Sequence, residues 1–271
     1  MQRTVFFISD GTAITTEKLG HSLLSQFPDV SFKQVRIPFV DSPEKAEEMV
    51  LVINRACDED GAAAILFLSI IDDDTRAAFY RSRGIPLDLF ADFMYTLENA
   101  LGVAPQATVG SAHGVADAGR YEDRIEATNY ALAHDDGMSL DYSKAELILV
   151  GISRTGKTPT CLYMALHFGV NVANYPLTRQ DLENQRLPGQ LRSCKSKIVG
   201  LLIDPDHLSR IRETRRPDSQ YASLRQCHWE ADAAESLLRT EGIQTFDTSH
   251  SSIEEIASRI LAHVGLQREM F

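Results

Sequence analysis

Cysteine is scarce in this chain: four of 271 residues, at Cys57, Cys161, Cys194 and Cys227, with no C-x-x-C spacing among them. That argues against a disulfide framework and a zinc site, and for a reducing compartment, so the expected location is the cytoplasm. Long hydrophobic runs are also missing. No window approaches the roughly 20 apolar residues of a membrane span, and the apolar start around Val5-Phe-Phe-Ile8 is too short for a signal peptide. Positive charge is in deficit, with 27 Lys and Arg against 38 Asp and Glu and a formal net charge of −11. A general nucleic-acid binder needs a positive field, so that class is excluded, and a phosphate site here must be a local positive spot on an acidic body. No internal repeat or low-complexity tract is evident.

What remains is an ordinary globular composition, 44% hydrophobic and 24% charged, and one stretch of high specificity. Leu147-Ile-Leu-Val150 is a short apolar run of the kind a buried strand takes. Gly151, Ile152, Ser153, Arg154, Thr155, Gly156, Lys157 and Thr158 then fit G-x-x-x-x-G-K-[ST] without mismatch. Pro159 suits a first helical turn, Leu162, Ala165, Leu166 and Phe168 make an apolar face, and Gly169 can stop the helix. Such a loop lets glycines turn N–H groups inward on an anion, and the helix adds its positive end. All eight residues are therefore nucleotide-phosphate candidates, with Lys157 reaching the terminal phosphates and the Thr158 hydroxyl holding Mg²⁺. At ordinary residue usage a chain of this length matches by accident about one time in a hundred, so a tight turn without a ligand is the weaker reading.

Short apolar runs alternate with amphipathic stretches along the chain. This predicts an α/β fold in three layers with mostly parallel sheets, a P-loop kinase-like C-terminal half and a smaller α/β N-terminal half. Strands are expected at 4–8, 32–40, 62–71, 170–175, 196–204 and 244–247, and residues 85–101 suggest a helix. The Gly- and Ala-rich residues 102–119 are the best linker, giving domains 1–110 and 111–271. The polar residues 177–190 resemble a mobile helix or lid.

Several features carry two readings each. Ser9-Asp-Gly-Thr12 suits a phosphate site or a plain turn into a helix, and Asp72-Asp-Asp74 suits a solvated helix start better than a cation site. In His134-Asp-Asp-Gly137, Asp135 and Asp136 suit a base or Mg²⁺ ligands, or else a glycine-capped helix end with two exposed aspartates. Asp204, at the tip of an apolar strand, suits either the Mg²⁺ carboxylate of P-loop proteins or a helix cap. Arg210, Arg212, Arg215 and Arg216 suit a phosphoryl clamp, an acidic partner surface, or a solvated face balanced by Glu213 and Asp218. Cys227 and His228 are adjacent on a helix and point about 100° apart, so a core Cys beside a surface His is favoured over a catalytic pair.

Asp10-Gly-Thr12, His134-Asp-Asp-Gly137, G-I-S-R-T-G-K-T-P-T at 151–160, Ala173-Asn-Tyr-Pro176 and G-L-x-I-D-P at 200–205 occur in the order found in one family. Over essentially its whole length the chain resembles the bacterial phosphoenolpyruvate synthase regulatory proteins, relatives of the plant pyruvate, phosphate dikinase regulatory protein. The signature G-[VI]-S-R-[TS]-x-K-T-P-T is much more specific than a generic P-loop. The resemblance implies a bifunctional serine/threonine kinase and phosphorylase. ADP would donate a phosphoryl group to a threonine near the catalytic phosphohistidine of phosphoenolpyruvate synthase, inactivating it. Inorganic phosphate would take the group back as pyrophosphate, reactivating it. The catalytic candidates are then Lys157, Arg154 and Asp135 or Asp136, with ADP or phosphate on Gly151 to Thr158 and Mg²⁺ on Thr158 and Asp204. A homodimer is also suggested. The competing readings are the same activity on pyruvate, phosphate dikinase, an ATP-dependent small-molecule P-loop kinase, and a nucleotide sensor without catalysis.

Overall fold

The apolar runs become the strands of two four-stranded sheets, both parallel throughout. A computed structural model describes residues 2–105 and 118–266, and the chain divides into two compact units, Met1–Gly114 and Val115–Phe271. The boundary expected at 110–111, with most of the expected linker, lies outside the described residues.

The first unit runs β1 (Gln2–Ser9), α1 (Ile14–Leu24), β2 (Ser31–Ile37), α2 (Pro43–Asp60), β3 (Ile65–Ser69), α3 (Asp73–Tyr80), β4 (Ile85–Asp88) and α4 (Ala91–Leu101), with sheet order β2-β1-β3-β4. The second unit runs α5 (Ala118–Ala133), β5 (Leu147–Gly151), α6 (Lys157–Phe168), β6 (Val172–Pro176), α7 (Arg179–Asn184), α8 (Gly189–Arg192) and β7 (Ile198–Leu202). It continues through α9 (Pro205–Arg215), α10 (Leu224–Thr240), β8 (Thr245–Asp247) and α11 (Ile253–Val264), with sheet order β6-β5-β7-β8. Both units therefore carry the same strand order, a repeat of topology that the sequence does not display.

Both faces of each sheet are covered, as parallel sheets require. On β5, Ile148 and Val150 join a core with Leu182, Leu208 and Leu237, while Leu147 and Leu149 join another with Met164, Ile256 and Ile260. Burying each such side chain contributes about 1.5–3 kcal/mol. In the first unit Phe6 and Ile8 meet Ile53 and Phe79, and Val5 and Phe7 meet Leu24 on the opposite face.

In this strand order the chain leaves the first strand of a unit in one direction and later crosses to the other side. The loops after β5 and β7 therefore diverge and open a crevice at the carboxyl ends of the strands. The phosphate-loop motif follows β5, so the topology places it at that crevice.

Two expectations change, and the helix start expected at Asp72 holds. Residues 85–88 form an edge strand, where Pro86 costs no ladder bond, and α4 starts later because the Asp88 carboxylate accepts the N–H groups of Phe90 and Ala91, each at 2.9 Å. Residues 177–190 are no lid: Leu177, Leu182 and Leu187, with Leu191 beyond them, are buried in the core of the second unit. Asp72 caps α3 through the Thr75 N–H at 2.8 Å, the helix-start reading. Among the described residues no helix is long and apolar enough to cross a membrane.

Candidate functional site

β5 delivers its last residue, Gly151, into a space with no room for a side chain. A Cβ there would stand 2.5 Å from the Leu201 carbonyl oxygen on β7 and 2.9 Å from Thr155 Oγ1. Gly151→Ala is therefore expected to destabilise the fold by about 2–3 kcal/mol through overpacking. Scanning calorimetry would read this as a lower Tm, and an unchanged Tm would show that the strand can shift aside.

Beyond Gly151 the loop turns through two left-handed residues, Arg154 at φ 79° and Gly156 at φ 80°. Such turns aim successive N–H groups into one concavity, which is an anion nest. The non-glycine Arg154 pays for that shape with about 1–2 kcal/mol of backbone strain. Thr155 Oγ1 donates to the Ile152 carbonyl at 3.0 Å, and Lys157 Nζ donates to the same oxygen at 2.9 Å. Lys157 is only 4% exposed. Burial pushes its ammonium down to about 8, against the opposing pull of Asp136 first and of Cys161 and Asp135 after it, with Arg154 adding repulsion. The loop thus holds a desolvated cation that an entering anion would compensate.

A 3-10 turn, Asp135–Gly137, follows α5 and lies against β6. His134 anchors it, with its ring nitrogens 2.9 Å and 3.0 Å from the carbonyl oxygens of Tyr130 and Asp141. Thr158 Oγ1 donates to Asp135 Oδ1 at 2.7 Å, and Asn174 Nδ2 donates to the same oxygen at 2.6 Å. The Asn174 side chain also accepts the Asp136 N–H at 2.9 Å, which holds Asp136 in the left-handed region at φ 48°, ψ 32°. Asp136 itself is exposed. The two aspartates therefore do different things: Asp135 is bonded to the loop threonine, and Asp136 projects a carboxylate whose charge is the strongest felt by Lys157.

Asp204 caps α9, its Oδ1 accepting the His207 N–H at 2.9 Å. The carboxylate bonded to the Thr158 hydroxyl is that of Asp135. A hydroxyl and a carboxylate in contact are hard oxygen donors suited to Mg²⁺, which takes one or two carboxylates and otherwise waters and phosphates. Among the described residues no group of three or more His, Cys, Asp or Glu could hold a metal ion.

The arginine cluster splits. Arg212 is fully buried, donating from Nη2 to the Ser153 carbonyl at 3.1 Å and to Glu230 at 2.5 Å, and from Nη1 to the Tyr221 carbonyl at 3.1 Å. Its guanidinium carbon lies 4.0 Å from the centre of the Tyr221 ring, and the hydroxyls of Tyr221 and Ser153 are 2.8 Å apart. Arg212 thereby braces the phosphate loop from behind. Truncating one partner of a buried pair costs about 3–5 kcal/mol, so Arg212→Ala is expected to lose that much stability to urea. A loss below about 1 kcal/mol would show the network to be dispensable. Arg215 and Arg216, in contrast, are exposed and line a cleft of about 470 Å³ together with Ser153, Arg154 and Tyr221.

Cys161 and Cys227 are placed as buried core thiols. Cys161 lies buried beneath the loop with its thiol pushed far up by desolvation, and Cys227 is a core residue beside an exposed His228. Tyr221 is the site residue that sequence reasoning did not single out, while Arg212 and Asn174 appeared there only within a cluster and a motif, without the roles seen here.

Comparisons with known proteins show the family of the chain. A family model described as kinase/pyrophosphorylase matches residues 5–261. A Pseudomonas aeruginosa (strain LESB58) protein named "Putative phosphoenolpyruvate synthase regulatory protein" is 49% identical over 269 residues, spanning 99% of this chain and 98% of its own. An Azoarcus sp. (strain BH72) protein of the same name is 50% identical over 268 residues, 98% of this chain and 97% of its own. Among solved structures, the YorR protein of Bacillus subtilis, in complex with phosphorylated GDP, aligns with 52% of this chain and 90% of its own. That likeness, at 16% identity and a TM-score of 0.27, is too slight to carry function.

Proposed function

The chain belongs to the kinase/pyrophosphorylase family, and from that premise we propose that it regulates phosphoenolpyruvate synthase by reversible phosphorylation of a threonine. ADP is the phosphoryl donor, and inorganic phosphate is the acceptor in the opposite direction. The observation that carries the reading is the network joining Thr158, Asp135, Asn174 and the Asp136 N–H beside the buried Lys157. It places an oriented loop threonine, a free carboxylate and an under-compensated cation around one anion nest.

In the forward direction the threonine hydroxyl attacks the β-phosphorus of ADP. The bond from that phosphorus to the bridging oxygen breaks, AMP leaves, and the hydroxyl proton passes to Asp136. The loop N–H groups, Lys157 and Arg154 stabilise the charge on the phosphoryl group in transit. Thr158 and Asp135 would hold Mg²⁺, which would supply positive charge to the phosphates. In the reverse direction an oxygen of inorganic phosphate attacks the phosphothreonine phosphorus. Asp136 returns its proton to the departing threonine oxygen, and pyrophosphate leaves. One cradle runs both directions because free phosphate takes the position of the ADP β-group. The reading includes a homodimer in the cytoplasm, as the family resemblance and the cysteine usage suggest.

The test is incubation with phosphorylated synthase and ADP labelled in the β-phosphate. Label on a synthase threonine is the expected result. Nucleotide binding without label transfer favours a sensor, and turnover of ATP with a small metabolite favours an ordinary kinase; either outcome overturns the proposal.

A further inference from the structure

Arg154, Arg215 and Arg216 come from two separate elements, the phosphate loop and the end of α9, yet they line one cleft. None of the three side chains has an ion-pair or hydrogen-bond partner among the described residues. Of the carboxylates near by, Glu230 binds Arg212, Glu213 accepts the Asp218 N–H at 2.8 Å, and neither Glu213 nor Asp218 forms an ion pair with Arg215 or Arg216 among the described residues. Three guanidinium groups without an ion pair among the described residues thus line one cleft on a protein of net charge −11. Holding like charges close costs free energy, so their arrangement suits a ligand that supplies the opposite charge.

We propose that this cleft is a docking subsite for an acidic segment of the protein substrate, a stretch bearing carboxylate or phosphoryl groups beside the acceptor hydroxyl. It rests on the reading of the chain as a kinase of a protein. Size favours a segment over a lone phosphate: about 470 Å³ falls within the roughly 300–1,000 Å³ of sites that take many-atom ligands. The small anion already has its own place on the loop. Position supports the same conclusion. Ser153 and Tyr221 line the cleft and are bonded to each other, and Arg212 clamps the Ser153 and Tyr221 carbonyls, so the cleft wall and the phosphate loop are one rigid piece. A segment held there presents its neighbouring hydroxyl at the mouth of the loop. The arginines also supply what the acidic body lacks, a local field that draws in an acidic partner.

The experiment compares wild type with Arg215→Gln/Arg216→Gln, and with Arg210→Gln as a cation loss outside the cleft. Binding of phosphoenolpyruvate synthase is read by surface plasmon resonance at several salt concentrations. ADP binding is read by calorimetry, and labelling kinetics from β-labelled ADP. The double variant is expected to bind the synthase about 10- to 100-fold more weakly, with a flatter salt dependence. Its KM for the synthase should rise with kcat within about twofold, while Arg210→Gln stays near wild type and Arg216→Lys recovers part of the loss. Its ADP affinity should stay within about twofold, because the loop is intact. Unchanged synthase binding overturns the proposal. So does a parallel fall in ADP or phosphate affinity, which would make the cleft part of the nucleotide site. Equal losses from Arg210→Gln would reduce it to general charge. If wild type binds the synthase through the cleft but transfers no label, the kinase reading fails while the subsite stands; if it does not bind at low salt, both fail. Thermal unfolding of the variants excludes misfolding as the cause of a loss.

Discussion

Lys157→Ala is expected to lower ADP-dependent labelling of the synthase threonine about 10³-fold, and phosphate-dependent removal of that label by a similar factor. Both losses follow from one feature, the single ammonium group buried at the base of the loop. Among the described residues the Ile152 carbonyl accepts its hydrogen bond, and the charge of Asp136 is the largest that opposes its desolvation. A phosphoryl group in transit provides the missing negative charge, so the interaction strengthens as charge develops, which is the condition for catalysis. Loss of the kinase direction with phosphorolysis at the wild-type rate would show that the two reactions use different cradles.

The same residue has a pH signature. Its pKa of about 8 in the folded protein lies below the ordinary 10.5, so the unfolded chain binds more protons between those values. Stability of the ligand-free protein is therefore expected to rise from pH 8 towards 10.5, by about 3 kcal/mol at most, and Lys157→Met should remove that rise. Binding ADP or phosphate near pH 8.5 should draw in a fraction of a proton, read by calorimetry in two buffers of different ionisation enthalpy. No proton uptake by the wild type would mean that the anion does not reach the ammonium.

How much of this was legible in sequence depended on whether the signal was contiguous. The loop was, because its eight residues are consecutive and each has a local reason to be there. Strand order was not, since it depends on which way each crossover returns, and two unrelated sequences can give one order through short apolar runs and right-handed connections. The Asn174 contacts were out of reach, because they exist only once β6 lies beside the 135–137 turn. Arg212 was within reach as a buried residue, four after Leu208 on one stripe of α9; Arg215 and Arg216 share that spacing but sit at the helix end, where both are exposed. The leucines at 177, 182, 187 and 191 likewise outweighed the polar residues that suggested a lid.

The pair Asp135 and Asp136, equivalent in sequence, is separated by its surroundings. Asp136→Asn is expected to lower kcat for threonine phosphorylation about 10²–10⁴-fold with little change in ADP affinity. The general base must keep a lone pair free for the incoming hydroxyl. Asp135 Oδ1 is already taken by Thr158 and Asn174. Asp136 has its N–H fixed by Asn174 and its carboxylate exposed, and it exerts the strongest charge on Lys157. Its left-handed backbone, a strained conformation for a non-glycine residue, aims that carboxylate and is held only while Asn174 holds it. Asp135→Asn should act differently, by raising the Mg²⁺ concentration needed for half-maximal rate, because the amide still meets the Thr158 hydroxyl but brings no charge to the metal. Asn174→Ala should reproduce part of both defects, since one side chain positions both aspartates. Were Asp135→Asn to abolish kcat at saturating Mg²⁺ while Asp136→Asn stayed within about tenfold of wild type, the base would be the hydrogen-bonded aspartate, and the free carboxylate would serve only to balance Lys157.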